Sequence, residues 1–351
     1  MSDRKYTALY FASIVSLGGF LFGFDASVIS GVIGFIVPEF GLNDWQLGLV
    51  VGAPTLAGII ASLGGALLAD VIGRRRVLLI LALLYTVSAI ASALAPNYQV
   101  LVLARFIGGL AFASLGVAPM YIGEIAPREK RGMLVTVSQL NIVIGFSIAY
   151  FANYFVLLFS QSDAAWVQAL GLDQHAWRWM LGIEALPALA YTIMTFTLPE
   201  SPRWLITHAH RREEGATIFR EINPEATDDE IEKLVSEVEA TVADTQKTAR
   251  FWTSRLKVPI LLAILISVFN QFSGINIVFY FAPRLLGLAG LENPLLASVS
   301  LGITNLIFTF VGLWLIDKLG RRSLLYIGSI GYIISLGICA YAFLSTPTLK
   351  V

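Results

Sequence analysis

The sequence predicts an all-α, polytopic membrane protein, and three observations predict it. Apolar runs of about 20 residues recur along the 351-residue chain, each long enough to cross a hydrocarbon core of roughly 30 Å. Only 14% of residues are charged and 56% are hydrophobic, with a mean hydropathy of +0.74, too little polar surface for a water-soluble globule of this size. One charged loop motif occurs twice, 247 residues apart, as Asp70-Val-Ile-Gly-Arg-Arg75 and Asp317-Lys-Leu-Gly-Arg-Arg322.

The runs place nine spans near residues 9–35, 46–69, 77–95, 99–121, 134–159, 178–198, 258–286, 294–316 and 323–344. The first has the basic start and apolar body of a signal peptide. It lacks an A-x-A-like cleavage site and runs on through Gly34, so it reads as a retained helix. Between the sixth and seventh spans lies a polar stretch of about 60 residues. There Ile231, Leu234, Val235, Val238 and Val242 recur at helical spacing behind a Thr227/Glu230 capping box. This predicts an amphipathic scaffolding helix beside the membrane rather than a separate binding module.

Lys and Arg set the expected orientation. Arg4 and Lys5, Arg74–Arg76, Arg128, Lys130 and Arg131, Arg321 and Arg322, and the ends of the central stretch all fall on one side. That side, with the N-terminus, is expected to be cytoplasmic at a plasma or inner membrane; the other side carries Arg284 as its main basic residue. The repeated motif sits at equivalent loops and predicts two duplicated six-helix halves. The expected organisation is 1–198 for the first half, 199–257 for a linker, and 258–351 for the first three helices of the second half. The same offset carries Arg105 to position 352, so three helices of a twelve-helix plan fall outside this sequence.

Three ionisable side chains lie well inside spans: Asp25, Arg105 and Glu184. Each costs roughly 2.5–3.5 kcal/mol or more at the bilayer centre if unpaired. Counted along a 1.5 Å rise, they lie at similar depth, about 12–15 Å in for Asp25 and about 9 Å for the others. Acid, base and acid at one level permit a buried cluster. It is either a permanent tie between helices or a site where the acid takes a proton when Arg105 moves away. Uncharged polar groups form a second set: Gln139, Asn270, Gln271, Asn276 and Asn305. Amides donate and accept together, as a neutral hydroxyl-bearing ligand requires, and Phe22 and Tyr280 could cover apolar faces of such a ligand. The alternative is plain helix-to-helix bonding. Ser273-Gly274 interrupts the seventh span, and broken helices often mark transporter sites. A zero net charge gives no case for nucleic acid. No nucleophile–base set, phosphate loop or metal cluster stands out, so no enzyme is expected. Cys339 reads as a small packed hydrophobe.

Several motifs resemble those of sugar porters of the major facilitator superfamily. They are Gly18-Gly-Phe-Leu-Phe-Gly-Phe-Asp25, the G-R-R loop, Arg105-Phe-Ile-Gly-Gly, Tyr121-Ile-Gly-Glu124 through Arg131, Pro199-Glu-Ser-Pro-Arg-Trp-Leu205, and Asn270-Gln-Phe-Ser-Gly-Ile-Asn276. The resemblance covers nearly the whole chain and implies the major facilitator fold. It implies alternating-access symport of a neutral monosaccharide with protons as the coupling ion, no other cofactor, and a monomer in the lipid bilayer. It assigns proton coupling to Asp25, Arg105 and Glu184, where uncoupled relatives often carry Asn at the first. It assigns sugar contacts to Gln139, Gln271, Asn276 and Asn305. A cytoplasmic latch would comprise Asp70, Arg74, Arg75, Glu124, Arg131, Glu200, Arg203, Asp317, Arg321 and Arg322. Val71 and Ala66 depart from the loop motif and predict a weaker latch there. Asn270, Phe146 and Phe281 depart from the xylose symporters and put xylose itself in doubt. Uncoupled facilitation, a sugar-sensing receptor and an inactive fragment are the alternatives. The family draws part of its sugar site from later helices, so these 351 residues alone are expected to insert without transporting.

Overall fold

The computed structural model describes residues 7–127, 131–248 and 256–345, apart from the side chains of 7, 131, 241–248, 317 and 342–344. Among these residues every regular element is helical, and the chain divides into two compact units, Met1–Trp252 and Thr253–Val351.

The first unit opens with α1 (Thr7–Phe40), α2 (Asp44–Ile72) and α3 (Arg74–Ala93). The fourth span is α4 (Tyr98–Leu110) and α5 (Ser114–Ile125), joined by a 3₁₀ turn at Ala111–Ala113. The fifth is α6 (Arg131–Ser160). Helix α1 runs past its expected end at residue 35. Ile36 is buried and the Phe40 ring meets Trp177 edge-on at 5.7 Å, so the extra turn is held by packing. It stops at Gly41, which takes φ +60°, while Leu42 N–H bonds back to the Val37 carbonyl in a left-handed C-terminal cap. Asn43 and Gln46 then start α2 with a reciprocal capping box. Helix α1 lies against α6 along its length. Cβ atoms at Gly23 and Gly145 would stand 2.0 Å and 2.1 Å from opposing carbonyl oxygens, so this approach needs glycine on both helices.

After α7 (Ala165–Ala169), the sixth span is not one helix. It is α8 (Ala176–Gly182) and α9 (Ala185–Thr195), with the junction at Ile183 and Glu184. Glu184 N–H bonds to Leu181 and Leu186 N–H to Ile183, i to i−3 bonds that tighten the turn without leaving helical dihedrals. Eight helical segments of the described residues are long and apolar enough to cross a membrane, and the ninth apolar segment is this shorter pair.

The linker forms α10 (Pro202–Thr207), α11 (Arg212–Ile222) and α12 (Asp228–Thr248). The Thr227/Glu230 capping box forms, with Thr227 N–H to Glu230 at 2.8 Å and Glu230 N–H to Thr227 at 3.3 Å. The apolar face of α12 does not lie free. Ile231, Val235 and Val238 pack with Ile206, Ala216 and Phe219 into a small core of their own, with Leu234 at its edge. The side chain of Val242 lies outside the described residues. On the polar side Arg212 pairs with Glu232 and Glu239, and Arg220 with Asp228.

The second unit comprises α13 (Lys257–Phe272), α14 (Ile275–Tyr280), α15 (Ala282–Leu288) and α16 (Pro294–Ser345). The expected break is present: Gly274 takes φ +76° between α13 and α14. The eighth and ninth spans, Pro294–Ile316 and Lys318–Tyr341, share α16 but meet at Gly320, whose φ 75° and ψ 159° are not helical. Gly73, its counterpart at the same offset, has φ 97° and ψ 154°. Most large apolar side chains of this unit are exposed. Cys339 is also exposed, not packed, because it sits on a stretch of α16 that is exposed along its length.

Candidate functional site

In the first unit α1, α4 and the α8–α9 junction bring the three intramembrane charges into one buried region. Asp25, Arg105 and Glu184 are 3%, 2% and 3% exposed. Arg105 Nη1 donates to Asp25 Oδ1 at 2.7 Å, and both guanidinium nitrogens approach the Asp25 carbonyl at 3.4–3.5 Å. Glu184 lies within electrostatic range of both. Asp25 Oδ2 and Arg105 Nε are buried without a hydrogen-bond partner. The pairing is thus made through one oxygen only, which leaves the other carboxylate oxygen available to a proton.

A layer of hydroxyls lies beside this cluster. Tyr85 on α3 approaches Ser114 on α5 at 3.3 Å and donates to the Gly18 carbonyl at 3.4 Å. Thr86 and Thr192 meet at 3.1 Å between α3 and α9, and Tyr191 is fully buried with its hydroxyl unpartnered. A charge-centred reading of the sequence passes over these residues. Tyr and Thr are compatible with an apolar span, and the available signal was only their recurrence one residue apart on two helices.

The amides fall in both units. Gln139 lines a recess of about 250 Å³ with Gly19, Ser114, Ser138 and Ile142. Phe22 is held edge-on to Phe112 at 4.7 Å and to Phe146 at 6.5 Å. In the second unit Asn276 Nδ2 donates to Gln271 Oε1 at 2.8 Å across the Gly274 break. Their remaining donors and acceptor stay available. Asn270 lies in the last turn of α13, where its carbonyl accepts from the Ser273 hydroxyl at 2.6 Å, and Tyr280 ends α14. Asn305 lies in α16, half-buried.

At the end of the first unit carrying the repeated motif, Arg74 is 5% exposed. Its Nε and Nη2 each reach Glu124 at 3.0 Å, Nη2 reaches Asp70 at 2.8 Å, and Nη1 donates to the Ala69 carbonyl at 3.0 Å. Arg75 N–H donates to Glu200 at 3.0 Å, and its guanidinium to the Phe196 carbonyl at 2.8 Å. Trp204 donates to the Asp70 carbonyl at 2.7 Å and Tyr121 to that of Pro199 at 2.9 Å. Arg203 lines a cleft of about 570 Å³ with Glu124, Glu230 and Lys233. The side chains of Arg131 and Asp317 lie outside the described residues; Arg321 and Arg322 are exposed, and Arg322 donates to Tyr326 at 3.4 Å.

Arg178 stands at the expected start of the sixth span, where its sequence position alone gives it no role. It donates to the Ala93 and Ala95 carbonyls at 3.1 Å and 2.8 Å, lies 3.6 Å from Glu39, and covers the Trp177 ring at 4.4 Å. It therefore caps the C-terminus of α3, where a cation is favoured.

Comparison with known proteins identifies the family. The profile of the family described as "Sugar (and other) transporter" matches residues 11–350. Glucose transporter GlcP of Staphylococcus epidermidis is 36% identical over 348 residues, 97% of this chain and 72% of its own length. The arabinose-proton symporter of Bacillus subtilis is 34% identical over 318 residues, 89% of this chain and 66% of its own. The xylose transporter XylE of Escherichia coli, in a partially occluded inward-open conformation, matches with a TM-score of 0.80 at 29% identity, over 97% of this chain and 81% of that one. The chain is a multi-pass membrane transporter, not an enzyme, and it belongs to the sugar porters of the major facilitator superfamily.

Proposed function

We propose that this protein is a proton-coupled symporter of a neutral monosaccharide, working by alternating access at a plasma membrane with its N-terminus cytoplasmic. One observation carries the coupling. Two carboxyl groups and a single guanidinium are buried together. If all three were ionised, a net negative charge would be held in a medium that cannot solvate it. One proton on a carboxyl makes the cluster neutral. A sugar-linked movement that separates Arg105 from Asp25 therefore favours proton binding, and restoring the pair favours release. The names of the arabinose-proton symporter and of several sugar transporters among the relatives support this reading.

Gln139 in its recess and the Gln271–Asn276 pair are the proposed sugar contacts, with Asn305, Asn270, Phe22 and Tyr280 as further candidates. The amides match vicinal hydroxyls in donor and acceptor number. Phe146 against Phe22 makes an apolar wall where a second amide is expected in xylose symporters, which favours another pentose or a hexose. The lattice of Arg74, Arg75, Glu124 and Glu200 is proposed as a latch that holds one gating state. The test is sugar-induced pH change in lightly buffered proteoliposomes carrying the full-length protein, over a panel of D-glucose, D-galactose, L-arabinose and D-xylose. Symport predicts that one of these sugars draws protons inward with it; saturable uptake with no proton movement would identify an uncoupled facilitator.

A further inference from the structure

The buried acids and the Gln139 recess are not adjacent in sequence, yet both border the same hydroxyl layer. Ser114 stands on the recess wall with Gln139 and Ser138. Its hydroxyl meets that of Tyr85 at 3.3 Å. The point where a Cβ would stand at Gly18 lies 3.2 Å from the Ser114 hydroxyl and 3.3 Å from that of Tyr191, so the two converge on one spot. Tyr85 lies within electrostatic range of Asp25, Glu184 and Tyr191. Tyr191 follows Glu184 by seven residues, two turns on, and helical side chains lean toward the N-terminus. The phenol therefore leans back toward the acid. Its hydroxyl and Asp25 Oδ2 are both buried without a partner, whereas buried polar groups nearly always have one.

We propose that Tyr191, Tyr85 and Ser114 form the route by which protons pass between the buried acids and the Gln139 recess. The proposal rests on the proton-coupled reading above. Each hydroxyl both donates and accepts. On release, the carboxylic O–H of Asp25 or Glu184 breaks, and its proton is accepted by the layer. Each hydroxyl takes one proton and passes on its own, and the last goes to water in the recess. All hydroxyls end neutral, and the carboxylate left behind is balanced by Arg105 while the other acid keeps its proton. The titratable and charged groups facing this layer are Asp25 from α1, Tyr85 from α3, Arg105 from α4, and Glu184 with Tyr191 from the sixth span. A purely structural layer would hold the helices together and leave proton movement alone.

The test uses Tyr191→Phe and Tyr85→Phe in the full-length protein in liposomes, neither residue lining the Gln139 recess. The probe is whichever of D-glucose, L-arabinose or D-xylose the wild type accumulates. Proton-driven accumulation, sugar exchange without a gradient, and the pH profile of both are measured. The relay predicts that proton-driven uptake slows by at least about a hundredfold, the low side of what a positioned proton-transfer group contributes. Exchange stays within about twofold, because the sugar contacts are untouched. Unchanged proton-driven uptake in both variants, with a coupled wild type, overturns the relay alone. Loss of uptake and exchange together in both variants overturns it as well, by marking the layer as structural. A wild type with no proton-driven accumulation overturns the coupled reading and the relay with it.

Discussion

The two copies of the D-x-x-G-R-R motif share a backbone and differ in what surrounds them. Gly73 and Gly320 take nearly the same conformation, in a region that costs other residues about 1–3 kcal/mol. Around the first copy Arg74 is buried and held by Asp70, Glu124 and the Ala69 carbonyl. Glu200 lies so close that a Cβ at Gly73 would stand 2.4 Å from its Oε2. Around the second, Arg321 is exposed, Lys318 stacks on Trp314 at 3.8 Å, and no described atom lies within 4 Å of a Cβ at Gly320. The motif therefore specifies the turn. The ionic lattice is specified elsewhere, by Glu124 and Glu200, which lie 50 and 125 positions from the arginines they bind. The position 247 beyond Glu124 lies outside this sequence.

That contrast can be broken by substitution. Arg74→Ala leaves the Glu124 carboxylate partly buried without its partner and is expected to cost about 3–5 kcal/mol of stability. Arg321→Ala is expected to stay within about 0.5 kcal/mol. Thermal unfolding in detergent reads both, and equal shifts would mean that the motif, not its setting, makes the lattice. Gly73→Ala adds crowding against Glu200 to backbone strain and is expected to cost about 2–4 kcal/mol. Gly320→Ala carries strain alone, about 1–3 kcal/mol. A reversed order would show that Glu200 simply moves aside.

The second unit places its polar chemistry in amides rather than ions. Gln271→Ala should weaken sugar binding by about 1–3 kcal/mol and leave Asn276 unpaired. Unchanged affinity in a binding titration would remove Gln271 from the site. The smallest effect is expected at Glu200→Gln. It keeps an acceptor for the Arg75 and Ser201 N–H groups but loses the charge assistance, about 1 kcal/mol. A loss as large as that of Arg74→Ala would place the weight of the lattice on Glu200 instead.

How much of this was legible depended on the cost of each feature. Asp25 and Arg105 stood out because a lone charge in hydrocarbon is expensive, and they do pair. The break at Gly274 was legible because a glycine beside a serine in an apolar run marks an interruption. The junction at Glu184 was less legible: its dihedrals stay helical, and its mark in the sequence, Gly182 with a Pro187 that lacks the N–H to bond the Ile183 carbonyl, is one that membrane helices often carry without a break. The small core under α12 was half legible: periodicity gave the apolar face, but only the fold shows that Ile206 and Phe219, rather than lipid, cover it. Tyr85 and Tyr191 escaped notice because a phenol is mostly apolar surface, and its hydroxyl matters only when another helix brings a partner.

The central claim is that Asp25 carries the proton that drives sugar uptake. It is tested most directly by Asp25→Asn in the full-length protein in liposomes, measuring accumulation under an imposed pH gradient and exchange without one. Asn keeps a hydrogen-bond acceptor for Arg105 but cannot titrate. The account predicts that accumulation against a gradient is abolished while exchange persists. Accumulation by the variant that still follows the pH gradient would contradict it.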